Sequence, residues 1–166
     1  MDADYCHLIS IFDALKGNRS VTKVSVGARA LGGELVKSLS ELLAVNKTLD
    51  CVRIFATWGG WPRELENITQ ALRTNYTLTG LYFDSYVDEY PRMPEMEALL
   101  QRNVRLMERA AEFVLSGADV SDEEGVDALK KVQASASLVE RVRRITGETE
   151  EAAMETVLSA LARVSA

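Results

Sequence analysis

Asparagine recurs along this chain at a nearly constant interval. Asn18, Asn46, Asn75 and Asn103 are separated by 28, 29 and 28 residues. A leucine stands three residues before each of them, and an apolar residue stands three residues after each. The position seven residues before is also apolar throughout, as Ile11, Leu39, Ile68 and Met96. Self-similarity at such a period indicates stacked units that bury their apolar sides against one another.

Each unit changes its apolar period partway along. The first part spaces apolar residues two apart, as a strand does, in "VTKVSV", "LDCVRI" and "LTGLYF". The second part spaces them three and four apart, as an amphipathic helix does, for example in "GGELVKSLSELLAVN". We therefore predict three parallel strands near residues 22–26, 50–54 and 79–83, with Leu43 and Leu72 as equivalent core residues.

These motifs resemble leucine-rich repeats of the ribonuclease-inhibitor type, which also occur in NOD-like receptors and in the activator of the Ran GTPase. The resemblance covers roughly residues 5–106 and rests on the L-x-x-L-x-L strand pattern and on "N-x-T-L". It implies an α/β fold with a short leucine-rich-repeat solenoid of about three strand–helix units and a parallel sheet. The family usually places Asn or Cys three residues beyond each strand, where this chain has Arg29, Thr57 and Tyr86.

The repeat stops in the fourth unit. Its strand positions would be Arg109 and Ala111, which do not suit a core-facing strand, and "VRLMERAAEFVLSG" has helical spacing with Gly117 as its predicted end. Such a helix can cover the last apolar layer of a stack. We therefore predict a leucine-rich-repeat solenoid over residues 1–106 and a C-terminal helical cap or small bundle over residues 107–166.

Three short helices are predicted in the tail. Ser121 and Glu124 form a capping-box pattern before the first helix, and Thr149 is the predicted N-cap of the last. The expected apolar faces are Leu138, Val142 and Ile145 in the second helix, and Ala153, Val157, Leu158 and Leu161 in the third.

The composition narrows the classes of partner and site. The chain has 166 residues, a formal net charge of −6 and a pI of about 4.9, which argues against nucleic acid or an anionic membrane as the main partner. Two cysteines and one histidine are too few for a zinc site, and adjacent Cys6 and His7 would point apart on a helix. We expect no metal, no cofactor and no enzymatic activity. The absence of a secretion signal or a long apolar run favours a cytoplasmic protein.

Four N-glycosylation sequons begin at Asn18, Asn46, Asn67 and Asn75. They would indicate a secreted glycoprotein if they were used. Three of the four fall on the repeat, however, so we interpret "N-x-T-L" as its helix-to-strand turn.

Trp58 and Trp61, in the loop after the second strand, are the strongest indication of a binding surface, and residues that alternate with the core positions of the strands extend it. One row across the sheet would contain Ser25, Arg53 and Tyr82, and the next row Gly27, Phe55 and Asp84. Arginine and aromatic residues dominate interface hot spots. The hypothesis is a partner-binding patch composed of Arg53, Phe55, Trp58, Trp61, Tyr82 and Asp84. The alternatives are ordinary exposed strand residues and, for the two tryptophans, inward packing.

The resemblance implies a non-enzymatic module that binds another protein of unknown identity. One alternative is an adaptor or receptor subunit, in ubiquitin ligation or innate sensing, that uses its helical tail. A less favoured alternative is a GTPase activator acting through Arg29. Residues 5–15 also form a helix whose own strand is missing, so the first strand would have an open edge. That edge would allow self-association, or would adjoin further units of a longer chain.

Overall fold

The structure is a computed structural model that describes residues 3–58, 64–85 and 93–165. In these residues the fold is mixed α/β, with seven helices and one three-stranded sheet. The elements in chain order are α1 Ala3–Lys16, β1 Lys23–Ala30, α2 Gly33–Val45, β2 Cys51–Trp58, α3 Leu65–Thr74, β3 Gly80–Ser85, α4 Pro94–Leu115, α5 Glu123–Val132, α6 Ala136–Thr146 and α7 Glu150–Ser165.

The sheet has the order β1-β2-β3, and both strand pairs are parallel. Its register aligns Val24 with Val52, and Val52 with Leu81. Parallel strands need crossover connections, which α2 and α3 provide. The three predicted strands and their parallel pairing are confirmed, and each strand extends beyond its predicted end.

Helices α1 to α4 pack side by side in chain order, and the first core lies between them and the sheet. Leu43 and Leu72 are fully buried there, as predicted. Ile11 differs from Leu39, Ile68 and Met96 at the same place in the repeat, because its side chain is 43% exposed and theirs are buried. The buried stripe of α1 is Leu8, Phe12 and Leu15, with spacing four and three, and Ile11 lies beside it.

Buried asparagines connect the successive units. The Asn46 side-chain amide donates to the carbonyl oxygens of Leu15 at 2.8 Å and Asn18 at 3.1 Å, both in the preceding unit. Its Oδ1 accepts from the backbone amides of Thr48 and Leu49 in its own turn. Each such side chain therefore holds its own turn in shape and fastens it to the turn before it.

Asn75 repeats this arrangement one unit later. Its amide donates to Leu43 and Asn46 carbonyls, and its Oδ1 accepts from the amides of Thr77 and Leu78. Asn46 and Asn75 are almost completely buried, so the folded chain exposes neither sequon amide for modification. The interpretation of "N-x-T-L" as a turn is confirmed at both positions.

The asparagine series ends differently at Asn103. Its amide still donates to the carbonyls of Asn75 and Leu78, but its Oδ1 accepts from the guanidinium of Arg102. The backbone after Asn103 stays helical, and Arg102 takes the place of the missing turn. The same guanidinium donates to the Leu72 carbonyl near the end of α3, so it closes this end of the series.

Helix α4 runs through the fourth unit without a break. Arg109 and Ala111 are helical, as predicted, and the helix ends before Gly117, whose φ is 97°. The boundary predicted between residues 106 and 107 therefore lies inside one helix. The first buried cluster extends along α4 to Leu100, and a second begins at Met107 and includes residues of α5, α6 and α7.

The first tail helix begins one residue later than predicted. Asp122, and not Ser121, is its N-cap, and its carboxylate accepts from the Gly125 amide. The Asp122 carboxylate also forms an ion pair with Arg109 of α4, which favours it over Ser121 as the cap. Thr149 caps α7 as predicted, because its Oγ1 accepts from the Ala152 amide at 3.3 Å.

Two of the expected apolar residues of the tail do not belong to its core. Ile145 and Leu158 are both more than half exposed. In α7 the buried stripe is Ala153, Val157 and Ala160, with spacing four and three, and Leu158 lies about 100° around the helix from Val157. Ile145 lies in the last turn of α6, beyond the buried stripe that Leu138, Val139 and Val142 form.

The ion pair at Asp122 predicts acid sensitivity. The Arg109 guanidinium, and then the Gly125 amide, lower the pKa of the Asp122 carboxyl below its ordinary value of 3.8. Because the folded pKa is the lower one, the stabilisation is fully present above about pH 5 and is lost as the pH falls through and below 3.8. When the unfolding midpoint is plotted against pH, we expect Asp122→Ala to reduce the decrease at acidic pH, that is, to flatten the acid limb of the curve. A variant with an unchanged acid limb would contradict this role.

Candidate functional site

The outward-facing side chains of the sheet form the rows that the sequence predicted. Ser25 aligns with Arg53, and Arg53 with Tyr82. The next row joins Gly27, Phe55 and Asp84, and a third row joins Lys23, Cys51 and Gly80. Alternating residues of a strand face opposite sides, so a constant register brings these side chains to one surface.

Arg53 lies at the centre of this surface. Its guanidinium carbon is 5.0 Å from the ring centroid of Tyr82 and 6.0 Å from that of Phe55, within cation–π range. Its Nε is 3.5 Å from the Asp84 carboxylate. These four residues, Arg53, Phe55, Tyr82 and Asp84, are referred to below as the Arg53 patch.

The Arg53 patch is open to a partner. Phe55 is 39% exposed and Tyr82 47% exposed, which is a large apolar area for strand residues. The two rings and the carboxylate surround the guanidinium, whose side chain is 48% exposed. Stacked arginine loses less freedom on binding than a free one would, which is why such groups suit protein interfaces.

Two glycines shape the surface around the patch. A Cβ atom added to Gly80 would lie 2.9 Å from the Tyr82 ring, so the ring rests where a side chain at position 80 would stand. Around Gly27 no described atom lies within 4 Å of such a Cβ. With Ser25 also small, β1 contributes a shallow trough beside the Phe55 ring.

Among the described outward positions of the three strands, three side chains are basic and one is acidic. Lys23, Arg29 and Arg53 occupy the outward positions of β1 and β2, while Asp84 on β3 carries the opposite charge. The whole chain has a net charge of −6. This contrast favours approach of the sheet face by an acidic surface.

The two cysteines lie in different environments. Burial raises the pKa of the Cys51 thiol, so it stays protonated at neutral pH and is a weak nucleophile. Cys6 and His7 are both exposed on α1, on adjacent residues of the helix. Among the residues that the structure describes, no group of three or more potential metal-ligand side chains occurs.

Part of the predicted binding patch lies outside the described residues. Trp58 is the last residue of β2, but only its backbone position is described, and Trp61 falls outside the described ranges. The same holds for Tyr86 beyond β3. The hypothesis that the two tryptophans extend the patch therefore stays a prediction.

A polar groove of about 610 Å³ was not predicted from the sequence. It lies between the beginnings of the strands and helices α4, α6 and α7. Lys23 and Asp50 line it on the sheet side, and Glu140, Arg144 and Met154 line it on the tail side. No local sequence motif indicates it, because it depends on where the tail helices pack.

The groove brings the tail close to the sheet face. The pKa of Glu140 on α6 is lowered mainly by its hydrogen bond to Arg143, and Lys23 at the start of β1 lowers it further. Lys23 thus belongs both to the groove and to the outward row of the sheet. A partner on the Arg53 patch would therefore lie close to α6.

None of the helices in the described ranges is both long and apolar enough to cross a bilayer. No protein-family profile matches the chain. No curated protein matches it either.

A solved structure described as "Leiomodin-1 Actin-Binding Site 2 (ABS2)" is similar to this chain, with a TM-score of 0.55 and 20% sequence identity. The match covers 68% of this chain and 64% of that one, so the chain spans less than two thirds of it. At this identity the likeness concerns the fold alone.

Proposed function

We propose that this chain is a leucine-rich-repeat module that binds another protein through the exposed face of its sheet. The observation that carries the proposal is the Arg53 guanidinium within cation–π range of two exposed rings, 5.0 Å from the centroid of Tyr82 and 6.0 Å from that of Phe55. No enzymatic step is part of the proposal.

The repeat architecture in this proposal rests on three agreeing features. The strands and helices recur with the 28–29-residue period of the sequence. The strands are parallel and in constant register. Asn46 and Asn75 form equivalent bonds to the unit before them. Together these features support a short solenoid in which each unit is held by its neighbours.

The binding role rests on the chemistry of the Arg53 patch. Buried aromatic area contributes about 25 cal/mol per Å² before ordering costs, so Phe55 and Tyr82 would supply most of the affinity. Arg53 would orient the partner through charged hydrogen bonds. The similar solved structure is described as an actin-binding site, so this kind of fold serves protein binding in at least one other protein.

A cytoplasmic location is part of the proposal. Cys6 and Cys51 are both free thiols, and free thiols are the normal state of cysteine in a reducing compartment. The acidic net charge agrees with a protein partner and not with nucleic acid.

The proposal predicts that Arg53→Ala combined with Tyr82→Ala abolishes partner capture without unfolding the chain. Both side chains are about half exposed, and exposed cation–π pairs contribute only about 0.5–1 kcal/mol, so stability should hardly change. The measurement is affinity capture from native cells with quantitative mass spectrometry. Thermal unfolding of the unmodified chain and of the double variant is measured in parallel. The captured amount of a partner that binds the patch should be at least tenfold lower with the double variant.

Arg73→Ala provides the matched control. Arg73 lies on α3 with its side chain 53% exposed, against 48% for Arg53, and it also pairs with one carboxylate. The control should capture the partner as the unmodified chain does. Full capture by a stably folded double variant would move the binding site away from the sheet face.

A further inference from the structure

The connection between α6 and α7 is the most exposed stretch of the described chain. All residues from 143 to 151 are exposed, whereas elsewhere in the described ranges no more than three consecutive residues are exposed. The last buried residue of α6 is Val142, and the first of α7 is Ala153. Core packing therefore does not hold the last turn of α6, which can open without uncovering a buried side chain.

Three arginines precede the exposed Thr146 at the end of this turn. Arg141, Arg143 and Arg144 stand five, three and two residues before it. In the whole sequence, Thr146 is the only serine or threonine with arginine at both the second and the third position before it. Arginine-directed protein kinases select this pattern, because carboxylates near their active site pair with the guanidinium groups of the substrate.

The two nearest guanidinium groups are accessible to such carboxylates. Arg143 has an exposed side chain and bonds the Glu140 carboxylate, one helical turn earlier, at 2.8 and 2.9 Å. Exposed pairs of this kind contribute little to stability, so another carboxylate can replace Glu140. Arg144 is also exposed, and no carboxylate lies within ion-pair distance of it in the described part of the chain. A kinase can therefore bind both groups without disrupting a buried contact.

The Thr146 hydroxyl lies where α6 ends. Its Oγ1 donates to the Val142 carbonyl at 3.1 Å and accepts from the Glu148 amide at 3.3 Å. The next residue, Gly147, has a φ of 73° and is the C-cap of the helix. Both bonds of the hydroxyl are local, so the opening of one turn releases it to an active site.

We propose that Thr146 is a phosphorylation site for an arginine-directed protein kinase, and that the phosphate opens the last turn of α6. Thr146 Oγ1 forms the new bond to the γ-phosphorus of ATP, and its proton passes to an aspartate of the kinase. The bond between that phosphorus and its bridging oxygen breaks, and ADP leaves.

The phosphate disfavours the closed turn for two reasons. A phosphorylated Oγ1 carries no proton, so its bond to the Val142 carbonyl is lost. The phosphate would also lie at the C-terminal end of α6, where the helix dipole disfavours an anion, and close in sequence to Glu148 and Glu150. Arg143 could offset this repulsion only by leaving Glu140, with which it forms two hydrogen bonds.

In the test, the purified full chain is incubated with ATP and the catalytic subunit of cyclic-AMP-dependent protein kinase. Mass spectrometry then locates the phosphate, and we expect one phosphate per chain, at Thr146. A synthetic peptide of residues 139–151 is the reference for an unfolded acceptor. The proposal is overturned if the chain stays unmodified or carries the phosphate at another residue, whether or not the peptide is modified.

Matched variants show whether the arginines direct the reaction. Arg143→Ala combined with Arg144→Ala should lower the initial rate at least tenfold, whereas Arg163→Ala, at an exposed arginine of α7, should not change it. Thr146→Ala should remove the product, and Thr149→Ala should not. Equal rates for the double variant and for Arg163→Ala would contradict recognition through this turn.

Amide exchange measured by NMR tests the structural effect of the phosphate. The Gly147 amide donates to the Arg143 carbonyl at 2.9 Å, and we expect it to exchange at least fivefold faster in the phosphorylated chain. The Gly125 amide, which donates to Asp122 at the start of α5, is the control and should exchange at the same rate in both forms. Unchanged or slower exchange at Gly147 would overturn the proposed opening of the turn.

Discussion

Replacement of Asn75 by alanine is expected to lower the free energy of unfolding by about 4–6 kcal/mol. The side chain makes four hydrogen bonds to backbone groups of two neighbouring units, and Asn75 is completely buried. Each such bond contributes about 1–1.5 kcal/mol, and alanine leaves all four backbone groups without that partner. Chemical denaturation monitored by circular dichroism measures the loss.

Asn67 is the matched control for this change. It has the same side chain, but it lies in the first turn of α3 and is exposed. Asn67→Ala should alter stability by less than about 0.5 kcal/mol. Equal effects of the two substitutions would show that the buried asparagines do not fasten the units together. The free energy of unfolding of a domain is about 5–15 kcal/mol in total, so Asn75→Ala would bring this one close to unfolding.

Leu43→Ala and Leu72→Ala should each cost about 2–5 kcal/mol. Both side chains are fully buried at equivalent positions, where α2 and α3 end, and alanine would leave a cavity in the first core. The comparison variant is Val45→Ala, two residues beyond Leu43 and half exposed, which should change stability little.

The two leucine substitutions also test the equivalence of the units. Because the residues have the same place in the repeat, their effects measured by urea denaturation should agree within about twofold, the ordinary spread for one type of site. A nearly neutral result at either position, with a large one at the other, would contradict the repeat register.

The strands were predictable because their period is short and repeated. Three copies of the same alternation, at a nearly constant interval, fix both the strand positions and the parallel register. The rows through Arg53 and Phe55 followed directly from that register. A regular sheet leaves few arrangements for side chains that alternate with its core positions.

The helix faces were less predictable. Ile11, Ile145 and Leu158 all lie within one residue or one turn of the buried stripe, and each is exposed. Apolar residues spaced three and four apart are compatible with more than one buried face of a helix. Contacts with other elements decide which face is buried. For Ile11 the difference from its equivalents is that α1 contacts only one neighbouring helix, α2, among the described helices.

Local chemistry at the helix ends also depended on distant contacts. Ser121 and Asp122 are both residues that cap helices well, and the ion pair of Asp122 with Arg109 favours Asp122 as the N-cap. Arg102 carried no sequence signal, since its position corresponds to Gly17, Val45 and Thr74 in the earlier units. Its role arises only because α4 continues as a helix past Asn103.

The measurement that tests the central claim most directly is site-specific photocrosslinking in cells. A photoreactive phenylalanine analogue at Phe55 reports on the sheet face, and the same analogue at Val45 reports on the helical side with comparable exposure. We predict that position 55 crosslinks to one partner protein, that Arg53→Ala reduces this product, and that position 45 does not give it. Crosslinking of the same partner from position 45 and not from position 55 would contradict binding through the sheet face.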